Sequence, residues 1–524
     1  MSADAAAIKQ TPILLACAVV GFSVLFLLYQ STLLVAGALI VVALLALMLR
    51  WPEIGTLAVL FSIYSNIGVL AMRSPSAIQA SVGAPDQNPR VFAVLAALSL
   101  LLSVPLFHRL FVRKERLVLD RGFILMMAFL VVLLVSSSFA RDERIVGAKV
   151  ADYLLEGLAL YLLLINVVRD LTTLRRAAWA LLLAGSLMGG VSVYQRLTHT
   201  EDKLYGGLAQ MGTEIDLSSG AARPQRPVGP ISAGDEVVGQ LRVAGPIGEP
   251  NRYAQILLVL LPLAVLAFRT EHSRMMRALA LVAASLILGG LLLTFSRGAL
   301  LAALVLFGMM AYMRLLKPRQ VLVSVLGMGL LVAIFAPGVI TRMGTLGQLK
   351  SLLFRTNFTY HAPDSSAIHR YVLNVAAWHV FLDHPIFGVG PGHFAEYYSL
   401  PYGNRIGLIE STKKYLGHNL YLETLAETGV TGLTCLLAIL FVIMQGLWKE
   451  RRRCLQSRPE LASLATAFFL CLSAYAMSAV FIHLSYQRYF WLLVALSSAA
   501  ARIVRSKREE QAIGELLSSR GETL

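Results

Sequence analysis

The arginines, histidines and glutamates that flank apolar runs are where this chain has most chemistry to offer. Arg297, in TFSRGALL, sits between two apolar runs with almost no loop. Snorkelling to a membrane interface accounts for such a residue. A guanidinium at that depth also forks onto the oxygens of a lipid-linked phosphate. In RVAGPIGEPNRYAQILL, Arg242, Glu249, Asn251 and Arg252 lead a hydrophilic stretch back into an apolar run, and Pro250 with nearby glycines implies a fixed turn. The segment AIHRYVLNVAAWHVFLDHPIFGVGPGHF has two halves. In the first, Ile368, Tyr371, Val372, Val375, Trp378, His379 and Leu382 recur at helical spacing, with Arg370 and Asn374 on another face. In the second, Pro385, Gly388, Gly390, Pro391 and Gly392 force turns whose amides can approach a ligand, although a structured loop explains them equally. In GHNLYLETLAETGVTGL, Asn419 reads as a helix cap and Glu423 and Glu427 stand one turn apart on one face. His418 is thereby held beside a helix N-terminus, as a general base or as a solvated or capping group. Either glutamate orients that imidazole or makes a structural contact.

The elements that position these residues are membrane helices. The chain has 524 residues, 57% hydrophobic and 15% charged, with a mean hydropathy of +0.69. Soluble proteins carry about 45–50% apolar and about 25% charged residues, so this composition belongs in a bilayer. It excludes a secreted disulfide scaffold and a disordered chain. The charge of +16 belongs to cytoplasmic loops rather than to a nucleic-acid surface. Cys17, Cys435, Cys454 and Cys471 form no framework. A span takes about 20 apolar residues. Runs near 12–29, 32–49, 57–72, 91–107, 123–140, 153–168, 177–194, 253–268, 278–295, 298–313, 320–336, 429–448, 461–482 and 489–504 qualify. Alternate connections are short and basic (HRLFVRKERLVLDR, RDLTTLRR, RTEHSRMMR, RLLKPRQ, KERRRCLQSR), which puts both termini in the cytoplasm. The opposite set holds two long hydrophilic segments, 196–252 and 337–418, so the chemistry is expected outside. The helical half of the second, from 367 to 382, reads as an amphipathic helix on the outer membrane surface.

Other chemistries fare less well. No Asp-x-Asp, Walker or Gly-x-Gly-x-x-Gly motif stands in the outer segments, and His379, His384 and His393 lack zinc-ligand spacing, so no metal and no cofactor is expected. A transporter or flippase of an anion or a lipid-linked glycan is the rival reading, and a scaffold in an export complex a third. A carrier places ionisable groups deep in its spans, where this sequence has chiefly Asp152 and Glu156.

GPIGEPNRYA, SRGALL, HRYVLNVAAWHVFLDHPIFGVGPGHF and HNLYLETLAETGVTGL, in that order over roughly 240–440, together resemble the bacterial O-antigen ligase and polymerase superfamily. The resemblance implies an all-α polytopic protein of about 12–14 transmembrane helices, GT-C-like, with a large periplasmic loop carrying amphipathic helices. It implies a metal-independent inner-membrane glycosyltransferase whose active site is periplasmic. The donor would be an undecaprenyl-diphosphate-linked glycan, and the acceptor the lipid A core or a lipid-linked repeat unit, with polysaccharide export proteins as further partners. Arg297 and Arg370 would grip the diphosphate and His418 would act on the acceptor hydroxyl. Arg242, Asn251, Arg252, Gly390, Asn419, Glu423 and Glu427 would bind substrate. The expected organisation is transmembrane helices over 1–195, 253–336 and 419–504, periplasmic segments over 196–252 and 337–418, and a cytoplasmic tail over 505–524. The chemistry is coherent with these residue types: a glycosyl diphosphate is already activated, and a protein need only hold the departing anion and take the acceptor proton. The span count leans toward a polymerase.

Overall fold

A computed structural model describes residues 51–68, 96–200, 203–216, 222–223, 239–335, 365–397, 417–482 and 487–519. Apolar runs of helical length become α1 (Pro52–Tyr64), α2 (Ala96–Val112), α3 (Arg121–Ser137), α4 (Glu143–Val167), α5 (Leu171–Leu197), α6 (Pro250–Thr270), α7 (Arg274–Leu292), α8 (Arg297–Tyr312) and α9 (Pro318–Phe335). After α10 (Ser365–Asp383) the bundle resumes with α11 (Leu420–Cys454), α12 (Pro459–Phe481) and α13 (Gln487–Ser519). Every apolar run from 57–72 onward overlaps one of these helices; the runs at 12–29 and 32–49 lie outside the described residues. Among the described residues six helices, α4, α5, α6, α7, α11 and α12, are long and apolar enough to cross a membrane, and α1, α2, α3 and α8 are shorter apolar helices. The protein is an all-α polytopic membrane bundle. One element was not foreseen. The first long hydrophilic segment contains a three-stranded antiparallel sheet, β1 (Gln210–Asp216), β2 (Ala222–Arg223) and β3 (Gly239–Gly245), in the order β2-β1-β3.

The helices start where capping chemistry stands at the bundle ends. Asp120, Asp142, Asp170, Glu249, Ser296 and Asn419 each accept an amide hydrogen of the following first turn. Small residues set the closest approach: a β-carbon at Gly189 of α5 would lie 2.3 Å from the Leu286 carbonyl of α7. Leu183, Leu281, Val282, Val305 and Phe441 remain exposed on the outside, where lipid tails would cover them.

The two ends of the bundle differ chemically. At one, Arg169 pairs with Glu115 (2.9 Å), Arg451 donates to the Met313 carbonyl (3.1 Å), and Glu450 receives both Arg505 and Arg508. This end gathers the short basic connections. At the other end lie β1–β3, α10 and the turn-rich segment after it, tied to the bundle by Val243 N–H to Leu293 O (3.1 Å) and Leu420 N–H to Ile482 O (3.0 Å). All of the sequence-selected motifs fall at this second end.

α10 departs in detail from its expected placement. Val372, Leu373, Ala376, Ala377 and Val380 are buried in a small core with Ala426 of α11, whereas Tyr371, Trp378 and Leu382 point outward, each about half exposed. The periodic stripe therefore mixed two faces. A helix between a protein core and an apolar surroundings is apolar on both sides, which blurs the single-stripe pattern.

Candidate active site

The GEPNR turn is rigid for electrostatic reasons. Glu249 caps α6, accepting from the Asn251 and Arg252 amides (3.0 and 2.7 Å) and from the Asn251 side chain (2.8 Å). Burial pushes the Glu249 carboxyl up, but the Arg252 and Arg242 charges and the two amides outweigh it and hold the group below the usual carboxylate range. Arg242 on β3 donates to Asn251 Oδ1 (2.9 Å) and, through Nε, to the Thr294 carbonyl (2.8 Å). That second bond reaches the turn between α7 and α8, three residues before Arg297. Arg242 and Arg252 are both buried, so this cationic cluster is built into the fold and is not a flexible surface patch.

Arg297 opens α8 directly after its cap, Ser296. A β-carbon at Gly298 would touch the Phe481 ring at 3.1 Å, which places the start of α8 against the end of α12. Ile482, one residue on, accepts from Leu420, and Asn419 caps α11 through the Tyr421 and Leu422 amides (3.0 and 3.2 Å). His418 precedes that cap, half-buried, and a β-carbon at the adjoining Gly417 would lie 2.9 Å from Glu423 Oε2. Contacts made by these residues or by their neighbours in the chain thus put Arg242, Asn251, Arg252, Arg297, His418, Asn419 and Glu423 at the same end of the bundle. Arg370 stands on α10, half-buried, one turn before the face that packs on α11.

Gly390 and the turn-rich segment have a definite task. α11 is broken at Gly429 (φ 67°, ψ −168°), a conformation open essentially to glycine alone. The groups the kink frees are paired with the loop. The Ala426 and Glu427 carbonyls accept from Val389 and Gly390 (3.1 and 2.9 Å), while Val430 donates to the Pro385 carbonyl (2.9 Å) and the Thr431 hydroxyl to that of Ile386 (2.8 Å). Ser136 of α3 donates to the Phe387 and Glu427 carbonyls (2.6 and 2.8 Å). His393 is buried, its Nε2 accepting from the Asp142 amide (3.0 Å) and its Nδ1 facing the Pro391 carbonyl (3.1 Å), which makes it a structural clamp. The Phe394 amide donates to Glu427 (3.4 Å).

Between this loop and the helices lies a cavity of about 70 Å³. Glu423 and Glu427 line it, as the one-turn spacing required. Lys149 and Tyr153 of α4, Thr424 and Thr428 of α11, and Gln487 of α13 line it too, and sequence reasoning missed the contributions of α4 and α13. α4 adopts π-helical turns over Tyr153–Ala159, which fix Tyr153 against Met126 (2.7 Å) and turn Glu156 inward. Glu156 receives Arg488 at 3.2 Å, and Arg488, 1% exposed, also donates to Asn66 (3.1 Å), whose amide reaches the Pro246 carbonyl (2.8 Å). The one signal for this cluster was the pair Asp152 and Glu156 inside an apolar run; Arg488 in SYQRYFWLL had none.

Comparison with known proteins agrees with the motif reading. Residues 282–437 match the sequence model of the O-antigen ligase family. The teichuronic acid biosynthesis protein TuaE of Bacillus subtilis (strain 168) is 27% identical over 203 residues, which cover 37% of this chain and 38% of that protein's length. Both findings support the O-antigen ligase and polymerase superfamily. The matched segment includes Arg297, Arg370, His418, Asn419, Glu423 and Glu427, while Arg242, Asn251, Arg252 and Lys149 lie before it.

Proposed function

We propose that this protein is an integral-membrane glycan ligase or polymerase, transferring a glycan from an undecaprenyl-diphosphate donor to a hydroxyl of a periplasmic acceptor. The observation that supports this reading is the placement of Arg297, the Arg242–Asn251–Arg252 turn, His418 and Glu423 at the same bundle end, opposite the arginine-rich connections. Basic connections stay in the cytoplasm, so the converging end is periplasmic and the chain an inner-membrane protein. In the proposed reaction Arg297 and Arg370 hold the diphosphate bidentately, and the departing anion leaves into their field. Neutral His418 takes the acceptor hydroxyl proton as the glycosidic bond to phosphate breaks and the new one forms. Arg242 and Arg252, fixed by Glu249 and Asn251, add to the positive potential without having to move.

The geometry also speaks to the transporter reading. A buried ion pair, Glu156–Arg488, does lie within the bundle, but Asn66 ties it to the Pro246 backbone, which suits a rigid support better than a moving carrier. A deletion strain analysed on a gel for surface glycans tests the proposal. Glycan accumulating on undecaprenyl diphosphate with uncapped lipid A core identifies a ligase, and products of a single repeat identify a polymerase. Unchanged glycans would refute both.

A further inference from the structure

The cavity under the turn-rich loop carries ionisable groups from two helices that form no ion pair with each other among the described residues. Glu423 and Glu427 of α11 face it from one side and Lys149 of α4 from another. Lys149 is anchored there by packing: a β-carbon at Gly392 would meet its Cγ at 2.8 Å and its Cε at 3.4 Å. Among the described residues Lys149 closes no ion pair with either carboxylate, and Glu423 Oε2 is buried without a hydrogen-bond partner. A buried carboxylate oxygen without a partner is costly unless something donates to it. Thr424, Thr428, Gln487 and the Tyr153 ring also line it, and Phe129, Leu133, Pro391 and Leu420 form its apolar part.

We propose that this cavity is the acceptor-sugar subsite, in which Lys149 donates to one ring hydroxyl of the acceptor and Glu423 accepts from its neighbour. The inference rests on the transferase reading and goes beyond it by naming where the acceptor is held and by which residue outside the segment matched to the O-antigen ligase family. The chemical class follows from the lining. A pyranose presents adjacent hydroxyls that donate to a carboxylate and accept from an ammonium at once, which neither a phosphate nor an apolar chain can do. The Tyr153 ring offers an apolar wall for the C–H face of the sugar. Room for several waters, about 70 Å³, suits the hydroxyl edge of one ring entering from the His418 side. The sugar would then sit with a hydroxyl near the imidazole, because Gly417 joins His418 to the Glu423 carboxylate. Lys149 is thus a substrate-contacting residue for acceptor choice, and the arginines remain with the donor.

The test uses the full chain in detergent, with two separate readouts. Binding of farnesyl diphosphate, a short soluble mimic of the donor's diphosphate, is followed by thermal shift. Transfer is followed with lipid-linked glycan extracted from a deletion strain, against increasing concentrations of lipid A core and of lipid-linked repeat unit in separate reactions. Lys149→Met and Glu423→Gln should raise the apparent KM for the acceptor by about tenfold or more, as expected for a lost hydrogen bond to a charged group, and leave farnesyl diphosphate affinity within about twofold. Lys149→Arg, which keeps the charge, should recover part of the loss and shows that the methionine variant is not merely misfolded. An unchanged acceptor KM in folded Lys149→Met overturns the subsite, and so does a fall in farnesyl diphosphate affinity, which would make Lys149 a donor ligand. If the unmutated protein neither binds farnesyl diphosphate nor transfers glycan, the transferase reading itself fails, and the subsite with it.

Discussion

Gly429→Ala is a single methyl group placed where the backbone of the facing loop leaves no room for it. The native φ of 67° with ψ near −168° falls in a region reserved for glycine, and holding alanine there costs about 1–3 kcal/mol. The added carbon would lie 2.2 Å from the Ile386 carbonyl oxygen, which is backbone and cannot swing aside. Relief requires moving the 384–392 loop away from α11. The bonds at stake are Val389 to Ala426, Gly390 to Glu427, Val430 to Pro385 and Thr431 to Ile386. Losing two of them at about 1 kcal/mol each adds about 2 kcal/mol. The total, about 3–5 kcal/mol, is a large part of ordinary protein stability. The loop also carries Gly392 and His393, which set Lys149 and Asp142, so the cavity should deform with it. Purified Gly429→Ala should melt at a lower temperature than the parent protein and lose transfer. Parent-like melting and transfer would refute the argument that the kink and the loop are one unit.

Arg297→Lys should abolish transfer at normal protein level, since a point charge does not replace a bidentate fork; transfer at the parent rate in isolated membranes would end the bidentate role. Arg488→Leu should destabilise by about 3–5 kcal/mol by leaving Glu156 charged and buried, and pairing it with Glu156→Leu should restore much of the loss, read as protein level and melting temperature. Glu249→Gln gives a pH signature. The folded pKa is depressed below the unfolded value of about 4.3, so the carboxylate stabilises above that pH and the benefit disappears as pH falls through the lower folded value. The variant should therefore melt earlier than the parent at pH 7, with the gap closing below about pH 4; a gap independent of pH would remove the charge argument.

The fold was legible where one physical signal dominates. Long apolar runs and alternating basic connections gave helix positions and the chemical difference between the two ends, because hydropathy and charge are local properties. The Asn419 cap and the glycine-dependent turn after α10 were equally local. The small sheet escaped because its strands lie in a hydrophilic segment with little alternation. α10 misled in its face, because an element apolar on two sides has no single stripe. At the site, the residues on α8 and α11 carried motifs, whereas Lys149, Tyr153, Gln487 and Arg488 reach it only through packing of α4 against α3 and α13 and of α13 against α11. Nothing in GAKVADYLLEG states which neighbour its lysine will face. His393 looked like part of a histidine group and is a backbone clamp, a role fixed by Asp142 some 250 positions earlier, beyond the reach of spacing.

The central claim, that an imidazole at the head of α11 removes the acceptor proton, is tested most directly by His418→Ala in membranes supplied with lipid-linked donor and acceptor. Loss of a general base lowers the rate by about 10²–10⁴-fold, so the variant should insert at normal level, retain farnesyl diphosphate binding and leave the glycan on its lipid. Transfer within about tenfold of the parent rate, with the protein correctly inserted, would contradict the account.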